Sequence, residues 1–435
     1  MIMAMIRPET EMKDSGVQWI GDIPNNWNIK PLYACLDEIN QKNNPIVTTN
    51  ILSLTITDGV IPYSERGNQG NKSKENFEEY KVVYPNTIVA NSMNILIGSV
   101  GLSQYEGCVS PVYYVYAAKP QVDIRYMNYL FQMEPFQKRL RQFANGILEI
   151  RLRVSSHDIL HQKVAVPAYD EQQAIADYLD ETCSKIDEII AEAKASIDEY
   201  KELKQSVIFE AVTKGLDKNV EMKDSGVEWM GVIPKHWSTP KLKYFTNISS
   251  GGTPDRNHYE YWNGNVNWIK TGELQNNELY DSEEKISELG VANSSAKLFK
   301  ENTILIAMYG QGKTRGMTAL LKVPCTTNQA CAGIVMKSNS PYEIYYLWLT
   351  LQASYRALRE KAVGTGQPNL SIGLLKDFYI PLPTLQEQKE VINFLKKVMP
   401  KYDSLITEKE SLINDLEAYK KSLIYEVVTG KRRVV

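Results

Sequence analysis

The sequence contains little of what catalytic or metal-binding chemistry usually requires. Its 435 residues include only four histidines and five cysteines, and none of the cysteines forms a Cys-x-x-Cys pair. Zinc sites take their ligands from such pairs and from histidine, so no metal centre is expected. The cysteines instead read as buried thiols of a reducing compartment. They are Cys35, Cys108, Cys183, Cys325 and Cys331.

Long apolar runs and an excess of positive charge are also missing. No stretch approaches the roughly 20 apolar residues that cross a bilayer, and the opening apolar run is too short for a secretory signal. We therefore expect a cytoplasmic protein with no membrane partner. The net charge is −3, from 49 Lys and Arg against 52 Asp and Glu. Residues 138–163 are nevertheless basic, so a nucleic-acid surface, if present, is local.

What the sequence does contain is a tandem repeat of its opening block. The run EMKDSGVQWIGDIP beginning at Glu11 returns as EMKDSGVEWMGVIP beginning at Glu221. Trp27 and Trp237 then follow at the same interval. A repeat of this length indicates a duplicated structural unit, so we expect the chain to contain at least two modules.

A second repeated block closes each half. A Pro-x-x-x-Glu-Gln boundary occurs at Pro167 and again at Pro383, and SVIFEAVT from Ser206 aligns with SLIYEVVT from Ser422. The middles, residues 34–163 and 246–379, share little. One frame that carries two different inserts indicates two modules doing one job on two targets.

Each half ends in a long predicted helix, from Asp170 to Lys214 and from Gln386 to Gly430. Apolar residues recur there at intervals of three and four with charges between them, which is typical of a coiled coil. The expected buried stripe includes Leu203 in the first helix and, in the second, Leu405, Leu412 and Tyr419. Strand-like runs at 87–90, 111–117 and 303–308 lie in the middles. The predicted fold class is α+β, with two globular domains separated by two long antiparallel coiled-coil helices in a pseudo-two-fold tandem repeat.

Three catalytic patterns fail on inspection. Residues 307–314 loosely resemble a P-loop, but Arg315 and Gly316 follow Lys313-Thr314 where a phosphate-binding helix should begin. Pro254-Asp255 with Glu283-Glu284-Lys285 imitates a nuclease pattern without a counterpart in the other half, and no methyltransferase loop is found. Two alternatives stay open, which are a P-loop-like enzyme that uses Lys313 and a coiled-coil scaffold.

The loops of the middles are better suited to nucleic acid than to catalysis. They combine amides that can read adenine, cations for guanine or phosphate, an aromatic ring and glycines that allow close approach. By position after the shared Thr-Ile strand, Asn91–Asn94 is expected to correspond to Tyr309–Gln311. The predicted DNA contacts of the second half are Lys270, Thr271, Tyr309, Gly310, Gln311, Lys313, Arg315, Asn328, Gln329, Gly366, Gln367 and Asn369. Those of the first half are Asn91, Ser92, Asn94, Ser110, Arg151 and Arg153.

These motifs together resemble the specificity subunits of type I restriction–modification enzymes. The resemblance covers nearly the whole chain. It is carried by the heads at Met12 and Met222, by Gly251-Gly252-Thr253-Pro254, by Trp268-Ile269-Lys270-Thr271-Gly272 and by the Pro-x-x-x-Glu-Gln junctions. The first half lacks the Gly-Gly-Thr-Pro and Trp-Ile-Lys-Thr-Gly strings. Its recognition domain is therefore expected to be a divergent type.

The resemblance implies a division of the chain and of the chemistry. Residues 1–165 and 219–382 would be target-recognition domains that read a bipartite site in double-stranded DNA. Residues 166–218 and 383–435 would be central and distal spacer helices. Two methyltransferase subunits and two restriction (motor-nuclease) subunits would be the partners. The chain itself would be non-catalytic and need no cofactor, since S-adenosylmethionine for adenine N6 methylation, ATP and Mg²⁺ would belong to those partners.

Overall fold

The computed structural model describes residues 4–56, 58–66, 76–144, 152–310, 312–362 and 369–434. The chain forms two compact units. The first unit takes Met1–Lys194 and Glu410–Val435, and the second takes Ala195–Lys409. Each unit therefore contains part of both long helices. The functional division at residues 165, 218 and 382 stays a prediction.

Strands and helices alternate in each half, as expected for an α+β protein. The strands are β1 Ala4–Ile6, β2 Met12–Asp14, β3 Asp22–Pro24, β4 Asn28–Pro31, β5 Leu36–Glu38, β6 Leu52–Leu54, β7 Val60–Pro62, β8 Lys81–Val83, β9 Ile88–Asn91, β10 Val100–Leu102, β11 Gly107–Val109, β12 Tyr113–Ala118, β13 Lys163–Val166, β14 Met222–Asp224, β15 Val232–Pro234, β16 Thr246–Ser250, β17 Trp262–Ile269, β18 Asn277–Leu279, β19 Glu284–Ile286, β20 Ile304–Ala307, β21 Thr318–Leu321, β22 Cys325–Thr327, β23 Cys331–Met336 and β24 Arg432–Val434. The helices are α1 Ile124–Gln132, α2 Glu134–Arg141, α3 Ser156–Leu160, α4 Tyr169–Lys214, α5 Glu288–Ala292, α6 Ile344–Ala353, α7 Tyr355–Glu360, α8 Ile372–Lys376 and α9 Leu385–Val428.

The first unit is built on an antiparallel sheet in the order β10-β9-β12-β5. Its central strand β9 is buried on both faces, which explains why it reads in the sequence as a continuous apolar run. Val83, Val89, Val109 and Val115 form one apolar core around that strand. Burial of each such side chain contributes on the order of 1.5–3 kcal/mol before the entropy of ordering is subtracted.

The second unit has a larger mixed sheet in the order β16-β23-β20-β21-β18, in which β18 and β21 run parallel. Its central strand β20 is again buried on both faces. Helix α6 packs its apolar side on this sheet, with Tyr346, Leu347 and Leu351 fully buried in the same core as Ile304 and Ile334. The strand runs predicted at 87–90, 111–117 and 303–308 correspond to β9, β12 and β20.

In each unit the two long helices pair antiparallel. In the first unit the Tyr126 hydroxyl shares its one proton between Ala165 O, just before α4, and Val428 O, at the end of α9, at 2.9 Å each. In the second unit Tyr346 donates to Val212 O near the end of α4, at 2.7 Å. Each globular part is thus closed by the far end of the helix that belongs to the other half of the sequence.

Ion pairs between the helices repeat with the sequence. Lys420 contacts Asp187 at 2.6 Å in the first unit, and Lys204 contacts Asp403 in the second. When the helices are aligned on their shared ends, Lys204 matches Lys420 and Asp187 matches Asp403. The two contacts are therefore the same interaction, formed once in each unit.

The stripe predicted to be buried is only partly so. Leu179, Ile186 and Ile190 of α4 are buried, whereas Leu203, Leu405, Leu412 and Tyr419 are exposed by 38–50%. The prediction of burial for those four was wrong. A straight helix advances 3.6 residues per turn, so an apolar repeat drifts across its surface and one helix partner covers only part of it.

The Pro-x-x-x-Glu-Gln boundary forms a polar joint at the beginning of each long helix. Gln388 is completely buried. Its side-chain amide donates to Pro341 O at 2.9 Å and Pro383 O at 3.2 Å and accepts from Glu343 N at 2.8 Å. In the first unit Gln172 accepts from Asp123 N at 3.0 Å and donates to Pro167 O at 3.0 Å. One side chain therefore fastens the helix to the turn that begins α1 or α6.

The neighbouring glutamate of the joint fastens the helix to the repeated head block. Trp27 Nε1 donates to Glu171 at 3.0 Å, and Trp237 Nε1 donates to Glu387 at 3.0 Å. Burial disfavours the charge on Glu387, but hydrogen bonds from Trp237 and Thr384 outweigh it and lower its pKa. The tryptophan and the glutamate that repeat in sequence are hydrogen-bonded to each other in both units.

Removal of the joint glutamine should destabilise the protein. Gln388→Leu leaves the Glu343 N–H and two carbonyl groups without their partner in a buried place, which we expect to cost about 3 kcal/mol of unfolding free energy. Urea unfolding followed by tryptophan fluorescence measures this change. Gln386→Leu is the control, because Gln386 is exposed and lies two residues before Gln388 on the same helix. It should change the free energy of unfolding by less than about 0.5 kcal/mol. Equal effects of the two substitutions would contradict the assignment.

Candidate nucleic-acid interface

In the second unit, three of the loops predicted to contact DNA meet around one backbone position, Met308. Its N–H donates to Ala330 O at 2.8 Å, and its carbonyl accepts from Leu370 N at 3.0 Å. Tyr309, Asn328 and Asn369 are each within two residues of these bonds. Strand β20 therefore ends where the loop after it, the turn before β23 and the segment before α8 come together.

The loop between β20 and β21 presents two exposed side chains. Tyr309 is 44% exposed, and Lys313 is exposed. Gly310, Gly312 and Gly316 all have positive φ, at 140°, 59° and 88°. Residues other than glycine adopt such φ angles only at a cost in free energy, so the backbone conformation restricts which residues this loop can contain.

Lys270 and Thr271 are brought to the same place by β17. Asn328 N donates to Ile269 O at 3.1 Å, so the strand end adjoins the turn. Lys270 forms ion pairs with Glu283 at 2.9 Å and Glu284 at 3.1 Å, and Glu283 first and then Glu284 raise its pKa. Lys270 is therefore a protonated lysine that is already paired with carboxylates, and a phosphate would have to compete with them for it.

The Gly-Gly-Thr-Pro string packs directly beneath this cluster. Gly252 N donates to Thr327 O at 2.8 Å, and Thr253 Oγ1 donates to Gln329 at 2.5 Å. A Cβ on Gly251 would lie 2.2 Å from the backbone oxygen Thr327 O. Glycine is required there because two backbone segments approach closer than any side chain allows.

The first unit repeats the arrangement on its own strands. Val154 N donates to Ser92 O at 3.2 Å, as Leu370 N does to Met308 O. Tyr113 N donates to Ser110 O at 3.0 Å, as Cys331 N does to Asn328 O at 3.2 Å. The loop after the central strand, the turn before the next strand and the segment before the short helix therefore meet in both units.

This register corrects one predicted correspondence and separates two kinds of residue. The position equivalent to Met308 is Ser92. Met93 and Asn94 are therefore equivalent to Tyr309 and Gly310, and Asn91 is not. Asn91 and Ser92 are 6% and 2% exposed, because β9 and its first turn lie inside the fold. Asn94 and Arg153 are exposed, and Ser110 is half-buried. A duplex could reach the exposed pair directly.

Four predicted contacts lie outside the residues that the structure describes, and two neighbours of the cluster were missed. The four are Arg151, Gln311, Gly366 and Gln367. The missed residues are Tyr355 and Arg359 of α7, whose side chains donate hydrogen bonds to the loop after β20. The sequence carried no signal for them, because the contact joins residues more than 40 positions apart.

Comparison with known proteins identifies the fold. Residues 30–199 and 234–417 match the family described as the type I restriction modification DNA specificity domain. The chain belongs to this family. The two matched segments are the two halves of the tandem repeat, so each half is one copy of the DNA specificity domain.

Relatives and a solved structure agree with this assignment. The MjaIX specificity subunit of Methanocaldococcus jannaschii is 33% identical over 201 residues, which are 45% of this chain and 44% of the relative. The MjaVIII specificity subunit of the same organism is 23% identical over 432 residues, covering 95% and 94%. A chain of a solved type I R-M system, studied for complex assembly and conformational transition, has a TM-score of 0.70 at 13% identity and covers 94% of this chain and 99% of its own. The fold-class prediction is confirmed.

The P-loop alternative is not favoured by this family or by the local structure. Lys313 and Thr314 are followed by a turn and then by strand β21, where a phosphate site would need the N-terminus of a helix. Among the described residues, no group of three or more His, Cys, Asp or Glu could hold a metal ion. Within that same part of the chain, no helix has the length and apolar character to span a membrane.

The ion pairs of Lys270 generate a prediction about duplex binding. Glu283→Gln removes a negative charge beside the cluster and leaves Lys270 freer to meet a phosphate, so the DNA specificity protein should bind duplex about twofold to fivefold tighter at low salt. Glu301→Gln makes the same charge change at the opposite end of β20, at an exposed position. Fluorescence anisotropy at several salt concentrations compares the two variants. Equal tightening by both would mean that only net charge matters.

Proposed function

We propose that this chain is the sequence-reading subunit of a type I restriction–modification complex and recognises a bipartite site in double-stranded DNA. The observation that carries the proposal is the repeated loop cluster on a repeated frame. The joints and helix ion pairs are the same in both units, but the exposed cluster residues differ. Such a chain can read two different half-sites with one architecture.

The division of chemistry follows from this role. We propose that the chain is non-catalytic, and that S-adenosylmethionine, ATP and Mg²⁺ are bound by partner subunits. A methyltransferase partner must extrude the target adenine from the duplex, and recognition by this chain would bring it to that base. The relatives named as type I restriction enzyme specificity subunits support this assignment. The runner-up is a scaffold that binds protein through its helices and never contacts DNA.

Comparison of methylated genomes with and without the gene tests the proposal. We expect N6-methyladenine in a two-part motif with an unread gap, on both strands, that disappears when the gene is deleted and returns on complementation. Complementation with an empty vector is the control. An unchanged set of methylated motifs, together with no salt-sensitive duplex binding by the purified complex, would favour the scaffold instead.

The exposed apolar residues of the long helices support a place for the methyltransferase. Alignment of the two helices pairs Ile189 with Leu405 and Leu203 with Tyr419, and all four are 39–50% exposed. Ile189 and Tyr419 belong to the first unit, and Leu203 and Leu405 belong to the second. Each unit therefore presents an equivalent pair of exposed apolar residues, one on each long helix, as two copies of one partner would require.

Charge placed in either pair should remove one methyltransferase copy from the complex. Leu203→Lys buries an ammonium in the proposed interface, which is costly without a partner carboxylate. We expect native mass spectrometry of the coexpressed complex to show the loss of one methyltransferase, and Leu203→Lys with Tyr419→Lys together to show the loss of both. Gln205→Lys, exposed on another face of α4, should leave the mass unchanged. A full complement in the double variant would contradict the docking surface.

A further inference from the structure

Side chains of helix α7 in the second unit form hydrogen bonds to the backbone of the loop between β20 and β21. The Arg359 guanidinium donates to Gly312 O at 2.8 Å and to Arg315 O at 2.9 Å. Tyr355 donates its hydroxyl to Lys313 O at 2.7 Å. Two side chains from one short helix therefore bind three carbonyl groups of the loop that carries Tyr309 and Lys313.

The loop needs such support because its own sequence provides little stiffness. It contains three glycines at positive φ, and glycine loses more conformational entropy on ordering than any other residue. Arg359 can fix two carbonyls at once because its guanidinium is a rigid planar fork. A lysine has the charge without the fork and could not hold both groups in the same geometry.

The Tyr355 ring completes the support from below. A Cβ on Gly316 would lie 3.2 Å from that ring, and Arg359 stacks on the same ring with its guanidinium carbon 5.2 Å from the ring centre. The end of the loop, the tyrosine and the arginine thus form one packed layer. Because both ends of the fork and the ring are occupied by the loop, α7 determines which way the loop faces.

The first unit has an arginine at the equivalent position but uses it differently. Arg139 follows Tyr126 at the same interval as Arg359 follows Tyr346. Its guanidinium donates to Gln162 at 3.1 Å and to Gln142 at 2.5 Å. These are side chains near α2 and α3, so among the described residues the equivalent arginine of the first unit does not support the loop after β9.

We propose that Arg359, assisted by Tyr355, is a positioning residue that determines the sequence preference of the second unit. It holds the loop in one geometry, so that Tyr309 and Lys313 meet the same base pairs at every site. This inference rests on the proposed DNA-reading function. It concerns no direct contact of Arg359 with DNA, since its donors point to carbonyl groups of the protein.

The test is the methylated motif of cells in which the gene is replaced by Arg359→Lys. We expect methylation at near-cognate sites, with one base changed in one half of the motif, to rise about tenfold relative to cognate sites, because a mismatched base pair is penalised less when the loop can adapt to it. Near-cognate sites of the other half should stay unmethylated. Tyr355→Phe removes one of the three hydrogen bonds and should show the same change more weakly.

Arg356→Lys is the matched control, because Arg356 is exposed on the same helix and the substitution also preserves charge. It should leave the motif unchanged. A variant that is merely destabilised lowers methylation at all sites together and keeps the motif. The proposal is overturned if Arg359→Lys and Tyr355→Phe both keep full discrimination, lower methylation without relaxing it, or relax both halves equally. Absence of any bipartite motif in the wild type would instead overturn the proposed function.

Discussion

The rest of the structure depends on the buried amide at the beginning of each long helix. Gln172 and Gln388 each bond backbone groups that come from separate segments of the chain. The adjacent Glu171 and Glu387 accept from the indole of the head block. A buried polar side chain is costly unless all of its hydrogen bonds are made, so this joint forms only when the head, the globular part and the helix are correctly placed. That requirement makes the joint a determinant of the fold as well as a contributor to stability.

A fixed joint allows the loops to vary. The central strands β9 and β20 are buried on both faces, and each ends beside the strand paired with it, where the carbonyl groups of Ser92 and Met308 accept equivalent backbone hydrogen bonds. Hydrogen bonds between backbone groups form almost independently of which side chains the residues carry. The cluster can therefore carry a tyrosine and lysine in one unit and an asparagine and arginine in the other without disturbing the frame. This is the physical basis on which two halves of one chain could recognise different base pairs.

Much of this was predictable from the sequence, and each failure has a physical cause. The tandem repeat, the long helices to within one or two residues, and the strands β9, β12 and β20 follow from local patterns. The burial of Leu203 and Tyr419 was predicted wrongly because periodicity shows that a helix has an apolar face but not how much of it a partner covers. Asn91 was matched to Tyr309 by counting from the shared Thr-Ile strand, and counting does not show that β9 continues through Asn91 into the buried interior. Arg359 was missed because its contacts are with carbonyl groups, which no side-chain pattern records.

The two units solve the same problem, keeping a recognition loop in one shape, by different means. In the first unit the loop after β9 is held by backbone hydrogen bonds, since Asn91 N donates to Ser99 O at 3.1 Å, Ser99 N donates to Asn94 O at 3.0 Å and Val154 N donates to Ser92 O at 3.2 Å. In the second unit the glycine-rich loop takes its support from Tyr355 and Arg359 on α7. A loop held by side chains of another helix can change its shape through a residue that does not belong to the loop. Under the proposed role of Arg359, the second unit therefore has a further place at which specificity can change while the shared joints stay intact.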